Sequence, residues 1–528
     1  MTATSPAESR PPHLTLRRCF WLCLPALVIG AILRISLLIA VPEIFYGSDS
    51  NSYFVTAHSI YIDHHFDLPP KRRYVYPLLL VAAPPIPFCN TAQVVAVVQH
   101  LAGLGIIFGI GWITGHFVRR PALWVPLITL FPALWPRMIY YEHEMISETL
   151  LLGVFIATVA VAAPRDGLAT DRRLIWFCVL ALLIVAVKPS GRPIWLGLMI
   201  AAAMITRRPF RWPWLCYATF PLVVLITFTS GGDSQGPWLF LSSTLPLVKT
   251  EGEPYAAERA LIRPAIEAAR ADLPNYAFRQ GKYKKMLNNS HGSAPLGPVY
   301  AKFASDHKRF AAFAQRLARD AVLAHPFQYL GMVGKKIITA AGGQHIQQRL
   351  DPPRFWAEQA ESSAGRWQER PEEMRVIYEM DEPAYNAMVQ ERAQRTVWFS
   401  KYLRNLSGMN WLQVEPGNPG EAPLVHLRIL GWLALLGFLL SLLPSRFVRA
   451  SLLTIPLVLY LFLVYAVGDT VTRYLHPIEW TLFILIAIGL DTTLDGAVFL
   501  YRRLRSTSVD DSSSTPLPKA AKSIRFAS

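Results

Sequence analysis

Acidic and basic residues that could do chemistry stand at several points where apolar stretches of the sequence begin or end. Arginine and lysine side chains can bind an anionic ligand such as a phosphate, and arginine can do so through two parallel hydrogen bonds. A carboxylate within reach of a hydroxyl group can take its proton as a general base. The residues of this kind are Asp49, Arg72, Arg73, Glu144, Glu148, Lys188, Arg192 and Arg473. They can act together only if the elements that carry them bring them to one place.

The composition predicts that these elements are membrane-spanning helices. Of 528 residues, 52% are hydrophobic and 17% are charged, and the mean hydropathy is +0.28, which is unusual for a soluble protein of this length. At about 20 residues per crossing, the pattern predicts an all-α polytopic membrane protein with about ten transmembrane helices. The apolar stretches are 21–41, 92–117, 123–138, 146–163, 174–187, 194–205, 214–229, 424–443, 452–467 and 475–500. The two shortest, 174–187 and 194–205, could instead form one re-entrant hairpin.

The arginines predict which side of the membrane each connection faces. If Arg17 and Arg18 hold the N-terminus in the cytoplasm, the even-numbered connections carry the other arginine clusters to the same side, as the positive-inside rule requires. These clusters include Arg119 and Arg120, Arg172 and Arg173, Arg207 and Arg208, Arg446 and Arg449, and Arg502 and Arg503. Because the net charge of +16 is spread over these short turns, it favours contact with anionic lipid head groups over nucleic-acid binding. The five cysteines lie in or beside apolar stretches and predict no disulfide framework.

A second set of charges falls on the outer side, where short loops should be poor in lysine and arginine. It comprises Asp49, Lys71, Arg72, Arg73, Arg137, Glu142, His143, Glu144, Glu148, Lys188, Arg192, Asp469, Arg473 and His476. An anionic ligand at the outer interface would explain the basic members, although any one of them could be an interfacial anchor or lie in a solvated turn. Glu144 and Glu148 are expected to share a helical face at i and i+4, and could serve a helix N-terminus. Arg34, inside the first span, must face the bundle interior or reach outward to the head groups.

The order of apolar and polar segments predicts how the chain is divided. The parts are a cytoplasmic tail over 1–18, a transmembrane module over 19–229 with an outer loop over 42–91, a mostly helical extracytoplasmic domain over 230–423, C-terminal transmembrane helices over 424–500 and a disordered cytoplasmic tail over 501–528. In the outer domain, Phe310, Phe313 and Leu317 recur at helical spacing, and His325 with Pro326 should end that helix. Further helices are predicted through Tyr329 and Val333 and over about 381–406.

Four local patterns stand at the ends of the predicted spans. They are an acidic residue and a tyrosine after the first span (Asp49, Tyr53), a basic and Tyr-Pro segment (Arg73, Tyr76, Pro77), a Ser-Glu pair at the start of a later span (Ser147, Glu148) and an Asp followed by Arg-Tyr before the last span (Asp469, Arg473, Tyr474). Together they resemble the GT-C membrane glycosyltransferases. The membrane half is similar to bacterial enzymes of the dolichyl-phosphate-mannose protein mannosyltransferase and lipid A aminoarabinose transferase kind. The segment over 230–423 resembles them only loosely.

This resemblance implies a hexosyl- or pentosyltransferase of the bacterial inner membrane that moves a sugar from a polyprenyl-phosphate donor to an acceptor hydroxyl on the periplasmic face. The acceptor would be a lipid, a glycan or a protein. Asp49 is the expected general base. The expected donor-phosphate ligands are Arg72, Arg73, Lys188, Arg192 and Arg473, and the expected sugar or acceptor contacts are Tyr53, Tyr76, Glu144, Glu148, Asp469, Tyr474 and His476. No cofactor is required, although Glu142, His143 and Glu144 with His64 and His65 could hold a divalent metal.

Other interpretations of the same residues stay open. Asp63 and Asp67 compete with Asp49 for the role of base. A transporter or flippase of a lipid-linked anion would also need outer cations, but such proteins carry internal symmetry and ionisable sites near mid-membrane. A non-catalytic protein of envelope assembly could use the outer domain as a docking surface.

Overall fold

The fold is built from α-helices. A computed structural model describes residues 14–45, 50–61, 64–65, 74–83, 89–164, 166–206, 219–223, 235–253, 255–277, 280, 307–341, 367, 371–395, 428–468 and 472–510. Among these residues no β-strand forms, and an isolated parallel bridge joins Phe45 to Glu144. The all-helical class predicted from the composition is confirmed for this part of the chain.

The bounds of the helices follow in chain order. They are α1 (Leu16–Ala40), α2 (Ser50–Tyr61), α3 (Val75–Val81), α4 (Thr91–Phe117), α5 (Pro121–Leu134), α6 (Pro136–Glu142), α7 (Glu148–Ala162), α8 (Asp171–Val187), α9 (Arg192–Ile205), α10 (Gln235–Thr244), α11 (Ala256–Ala271), α12 (His307–Ala324), α13 (Pro326–Ala341), α14 (Pro371–Tyr378), α15 (Glu382–Arg395), α16 (Arg428–Ser441), α17 (Pro444–Val467) and α18 (His476–Asp510). Short 3-10 turns lie at Pro189–Gly191, Leu245–Leu247, Leu273–Asn275 and Thr472–Leu475.

Four of the described helices are long and apolar enough to cross a membrane. They are α1, α4, the Val448–Val467 part of α17 and the His476–Tyr501 part of α18. Only 28% of the apolar stretch of α1 is buried inside the protein, so most of its surface is available to lipid. The chain is therefore an integral membrane protein, and the ten crossings remain a prediction. Most of the predicted span over 214–229 lies outside the described residues.

The predicted span over 123–138 is interrupted. Helix α5 ends at Leu134, and α6 begins at Pro136 after the extended backbone of Trp135. Proline has no N–H to continue the helical ladder, and its ring pushes the preceding residue out of the helical region. The break lies one short helix before the segment over 142–148, which contains Glu142, Glu144 and Glu148.

The apolar helices pack in two neighbouring groups. Helix α1 lies against α4 and α5, α4 against α7, and α7 against α8. Helix α9 packs along α17, and α16 packs along α18, which also contacts α7 and α5. At the α16–α18 crossing, Gly437 and Gly489 face each other, and a Cβ on Gly437 would collide with the backbone oxygen of Leu485. Small residues of this kind let two membrane helices approach closely.

Helices α12 and α13 match the pattern that the sequence predicts. Phe310, Phe313 and Leu317 are buried on one face of α12, which ends at Ala324 before His325 and Pro326. Tyr329 of α13 donates a hydrogen bond to the backbone oxygen of Ala466 over 2.6 Å. These contacts hold α13 against the end of α17.

Helices α14 and α15 cover the first outer loop. The Asn90 amide donates to the backbone oxygen of Tyr378 over 3.3 Å, and Arg392 pairs with Glu43 over 3.3 Å. Part of the segment over 230–423 therefore packs on the loop over 42–91. The predicted helix over 381–406 is described from Glu382 to Arg395, and its remainder lies outside the described residues.

Arg119 and Arg120, which the positive-inside rule assigns to the cytoplasm, follow α4 at the end opposite to the loop over 42–91. Arg119 and Arg120, after α4, pair with Asp495 of α18 over 3.0 and 2.9 Å, and Arg120 also reaches Asp491. The predicted disordered tail begins at residue 501, but α18 continues to Asp510. Extending an existing helix needs no new nucleation, so arginine and leucine residues readily continue it beyond the bilayer.

The close packing of α16 on α18 should contribute to the stability of the protein. We expect Gly437→Ala to destabilise the protein by about 1–3 kcal/mol, because the added methyl group overpacks the contact with Leu485. Thermal unfolding of the purified protein in detergent measures the effect. Gly496→Ala is the matched control, because a Cβ at Gly496 of α18 meets nothing within 4 Å. Equal melting temperatures for the two variants would show that this crossing is not tightly packed.

Candidate active site

The segment over 142–148, between α6 and α7, is the centre of the candidate site. Its backbone pairs with the chain that follows α1: the Phe45 N–H donates to the His143 oxygen over 2.7 Å, and the Met145 N–H donates to the Phe45 oxygen over 2.9 Å. The Ser50 hydroxyl, at the start of α2, donates to the Met145 oxygen over 2.9 Å. Phe45 and Ser50 are therefore both held against this segment. Asp49 lies between them in sequence but outside the described residues.

A buried ion pair fixes the start of this segment. Arg34 of α1 donates from Nε and Nη2 to the two carboxylate oxygens of Glu142, each over 2.6 Å, and both side chains are 2% exposed. Gly103 of α4 makes room for the pair, because a Cβ there would collide with the Glu142 carboxyl group. Of the two possibilities for Arg34, the structure shows the one in which its side chain faces the bundle interior.

Two histidines extend this ion pair toward the outer loop. His100 Nδ1 lies 3.0 Å from Glu142 Oε2, and His100 Nε2 lies 2.8 Å from His143 Nδ1. His143 Nε2 lies 3.0 Å from the backbone oxygen of Glu43. Burial holds the pKa of His143 well below its usual value, and the neighbouring His100 lowers it further. The chain of side chains thus runs from inside α1 to the first outer loop.

The alternative metal site is not assembled among the described residues. Glu142 and His143 are buried in the chain with Arg34 and His100, whereas His64 and His65 are exposed in the first outer loop. Within the part of the chain that the structure describes, no three His, Cys, Asp or Glu side chains are grouped as metal ligands.

Glu148 and Lys188 form an ion pair at the beginning of α7. The Lys188 ammonium lies 2.5 Å from Glu148 Oε1 and 5.9 Å from the centre of the Tyr474 ring. The expectation that Glu144 and Glu148 share a helical face is wrong, because α7 begins at Glu148 and the backbone of Glu144 is in the bridge to Phe45. Glu148 does lie in the first turn of a helix, where a carboxylate is electrostatically favoured.

Two tyrosines lie beside these carboxylates. The hydroxyl groups of Tyr53 and Ser147 are 2.7 Å apart, and the rings of Tyr53 and Tyr76 are 4.9 Å apart. Tyr76 donates to Gln99 Oε1 over 2.9 Å, and the Gln99 amide donates to the backbone oxygens of Glu142 and Glu144. Burial raises the pKa of Tyr76 well above its usual value, with smaller contributions from Tyr53, Glu148 and Glu144. Tyr76 is therefore a neutral donor at any physiological pH.

The last membrane helix contributes a third carboxylate and a histidine. Glu479 of α18 pairs with Arg137 of α6 over 3.1 Å, and both side chains are buried. The His476 ring is buried 4.7 Å from the Tyr141 ring. Its two nitrogens have no hydrogen-bond partner among the described residues. A buried imidazole in this state has unused capacity to bind a polar ligand.

Arg192 is the second described cation among the predicted phosphate ligands, after Lys188. It starts α9, after Lys188 and the turn Pro189–Gly191. Its guanidinium makes no hydrogen bond or ion pair with the described residues, and its Nε is buried. It is half-buried, so its charge is only partly hydrated.

The structure therefore brings together only part of the predicted site. Its described members are Tyr53, Tyr76, Glu144, Glu148, Lys188, Arg192, Tyr474 and His476. Asp49, Arg72, Arg73 and Asp469 lie outside the described residues, as does the side chain of Arg473. Sequence reasoning missed Gln99, His100 and Glu479. The available signal was that each is a polar residue inside an apolar stretch, where such residues usually face the protein interior.

Comparisons with known proteins give remote structural similarity. Neither a protein-family model nor a curated protein matches the sequence. The fold is similar to the archaeal oligosaccharyltransferase AglB from Archaeoglobus fulgidus, solved with an inhibitory peptide and a dolichol-phosphate, with 13% identity over 92% of this chain and 52% of that one and a TM-score of 0.40. This chain thus spans about half of the AglB chain.

It is also similar to ArnT from Cupriavidus metallidurans. The undecaprenyl phosphate complex matches with 15% identity, 89% and 78% coverage of the two chains and a TM-score of 0.29. The apo form matches with 16% identity, 88% and 77% coverage and a TM-score of 0.30. Both neighbours are enzymes of the GT-C superfamily.

The pair of Arg34 and Glu142 can be tested by a double-mutant cycle. We expect Arg34→Met or Glu142→Gln alone to destabilise the protein by about 3–5 kcal/mol, because each leaves a buried partner uncompensated. The double variant should lose less than the sum of the two, by about 0.5–3 kcal/mol. Thermal unfolding in detergent measures all four proteins.

The exposed pair of Arg375 and Glu372 in α14 is the control for this cycle. Its side chains are 56% and 77% exposed, so Arg375→Met and Glu372→Gln should each change stability by about 1 kcal/mol or less. Additive effects of Arg34→Met and Glu142→Gln would contradict a direct ion pair in the membrane interior.

Proposed function

We propose that the protein is a membrane glycosyltransferase that moves a sugar from a polyprenyl-phosphate donor to an acceptor hydroxyl on the extracytoplasmic face of a bacterial inner membrane. One observation carries the proposal. Buried carboxylates, the ammonium of Lys188 and tyrosine side chains meet around the segment over 142–148, at the end of α4 opposite to Arg119 and Arg120. Such a site can bind a lipid-linked anion and an uncharged polyol together.

The cations in this proposal bind the phosphate of the donor. When the bond between the sugar and the phosphate breaks, the polyprenyl phosphate leaves as a stable anion, so it needs positive charge rather than a general acid. Arg192 supports this role because it is half-buried and unpaired among the described residues. Lys188 is held nearby by Glu148. Arg72, Arg73 and Arg473 are proposed to complete the phosphate site.

Asp49 is proposed as the general base. It would take the proton of the acceptor hydroxyl as the hydroxyl oxygen attacks the anomeric carbon, and the bond from that carbon to the phosphate oxygen would break. Direct displacement of this kind inverts the configuration of the sugar. Support comes from Phe45 and Ser50, which flank the residue in sequence and are both hydrogen-bonded to the segment over 142–148.

The remaining side chains are proposed to bind the sugar and the acceptor. His476 supports this role because its buried ring nitrogens have no hydrogen-bond partner among the described residues. The other proposed contacts are Tyr53, Tyr76, Glu144, Glu148, Asp469 and Tyr474. Helices α14 and α15 pack over the first outer loop, and we propose that this cover selects the acceptor. Tyr76 donates its hydroxyl hydrogen to Gln99, so it would meet a sugar hydroxyl as a hydrogen-bond acceptor.

Replacing the base tests the reaction. We expect Asp49→Asn to lower sugar transfer by about 10²- to 10⁴-fold, because an amide cannot accept the proton of the acceptor. The host strain that lacks the protein is complemented with each variant, and its envelope glycans are compared by mass spectrometry. The missing mass in the deletion strain identifies both sugar and acceptor.

Asp63→Asn and Asp67→Asn are the matched controls for this test, since both residues compete with Asp49 for the role of base. They should restore the glycan, and all variants should insert in the membrane at equal levels. Full activity of Asp49→Asn would remove it as the base. An unchanged set of glycans in the deletion strain would contradict sugar transfer and favour a transporter or an assembly protein.

Replacing Arg192 tests the donor site. We expect Arg192→Met to raise the KM for the donor about tenfold or more, because a charge-assisted hydrogen bond to phosphate contributes about 1.5–3 kcal/mol. The control is Arg263→Met, which removes an exposed arginine paired with Glu251 at the surface. An unchanged donor KM in Arg192→Met would exclude Arg192 as a phosphate ligand.

A further inference from the structure

A groove lies between the ends of α4, α7 and α8, away from the candidate site. Its volume is about 400 Å³, and its walls include Trp112 of α4 and the end of α7 with Pro164. On the other side it is lined by Trp176, Arg172 and Arg173 of α8. A pocket of this size is large enough for a small polar group with part of an apolar chain.

The groove is at the membrane surface opposite to the candidate site. Helix α7 begins at Glu148, in the site, and ends at Ala162, beside the groove. Helix α8 runs the other way, from the groove to Val187, next to Lys188. The groove is therefore on the side that carries the cytoplasmic arginines, and nothing in the proposed transfer reaction uses it.

One wall of the groove carries large apolar side chains that are exposed. Trp176 is 51% exposed, and its neighbours Ile175 and Val179 on α8 are 50% and 47% exposed. Large apolar side chains this exposed on a membrane helix contact acyl chains. Trp112, by contrast, donates its indole N–H to the backbone oxygen of Ala160 over 3.2 Å and forms the inner wall. Tryptophans at such a position are typical of the boundary between acyl chains and head groups.

The charge at the groove is positive. Arg173 pairs with Asp166 over 2.5 Å, which leaves the charge of Arg172 in excess. The Arg172 side chain is exposed and makes no hydrogen bond or ion pair with the described residues. Nearby, Arg449 donates to the backbone oxygen of Ala163 over 2.6 Å. Cations beside an apolar, lipid-facing wall are complementary to a phosphate that carries acyl chains.

We propose that this groove binds the phosphate head group of an anionic phospholipid from the cytoplasmic leaflet. The phosphate lies at Arg172 and Arg173, and the first part of an acyl chain lies against Trp176. The site is independent of the proposed sugar transfer, since it is at the other end of α7 and α8.

Native mass spectrometry of the purified, delipidated full-length protein tests the site. Phosphatidylglycerol should bind as a discrete single adduct at concentrations where phosphatidylcholine and inorganic phosphate do not. Each arginine near an anionic lipid contributes about 1 kcal/mol, so Arg172→Gln should weaken phosphatidylglycerol binding about fivefold. Adding Arg173→Gln should weaken it further.

The control is Arg17→Gln with Arg18→Gln, which removes the same charge from exposed positions at the cytoplasmic end of α1. It should leave the discrete adduct unchanged. Equal weakening by both pairs would show general attraction to a basic surface and overturn the proposal, as would equal binding of phosphatidylcholine. Arg172→Gln alone is expected to fold, because its guanidinium has no described contact to lose.

A second readout is quenching of tryptophan fluorescence by brominated phosphatidylglycerol. The quenching should decrease in Trp176→Phe, and unchanged quenching would also overturn the proposal.

Discussion

The ion pair between Arg34 and Glu142 is the interaction on which the rest of the candidate site depends. An arginine inside a membrane helix is costly, by up to about 2.5–3.5 kcal/mol at the helix centre on translocon-insertion scales, so a buried arginine such as Arg34 needs a compensating partner. Glu142 supplies both carboxylate oxygens, and Gly103 leaves the space that the carboxyl group needs. The pair thereby fixes α1, α4 and α6 relative to one another at the point where the chain leaves the membrane interior.

From this pair, hydrogen bonds stiffen a segment that is not itself helical. His100 and His143 connect Glu142 to the backbone of Glu43. Gln99 accepts from Tyr76 and donates to the backbone oxygens of Glu142 and Glu144. Functional groups are positioned most accurately when a surrounding layer of contacts locks them. The segment over 142–148 can thus hold its carboxylates beside Tyr53 and Lys188 without a regular helix.

The class of the fold could be predicted from the sequence because membrane helices are specified locally, by runs of apolar residues and by arginines at their ends. The positions of Arg119 and Arg120 opposite to the site, and the break before Pro326, follow from such local rules. The site could be predicted only in part. The partner of Arg34 is 108 residues away in sequence. The i, i+4 spacing predicts a shared helical face for Glu144 and Glu148, but the backbone of Glu144 pairs with Phe45 instead of forming a helix. Contacts of this kind depend on tertiary packing, which no local pattern records.

The most direct test of the account is to locate a polyprenyl phosphate on the protein. A polyprenyl phosphate with a photoreactive group next to the phosphate is bound to the purified protein and cross-linked, with unlabelled polyprenyl phosphate as competitor, and the labelled peptides are identified by mass spectrometry. If the candidate site binds the donor phosphate, the segments over 142–148 and 188–195 are labelled, and unlabelled polyprenyl phosphate suppresses that labelling. Labels confined to the opposite membrane surface, around Trp112 and Trp176, would contradict it.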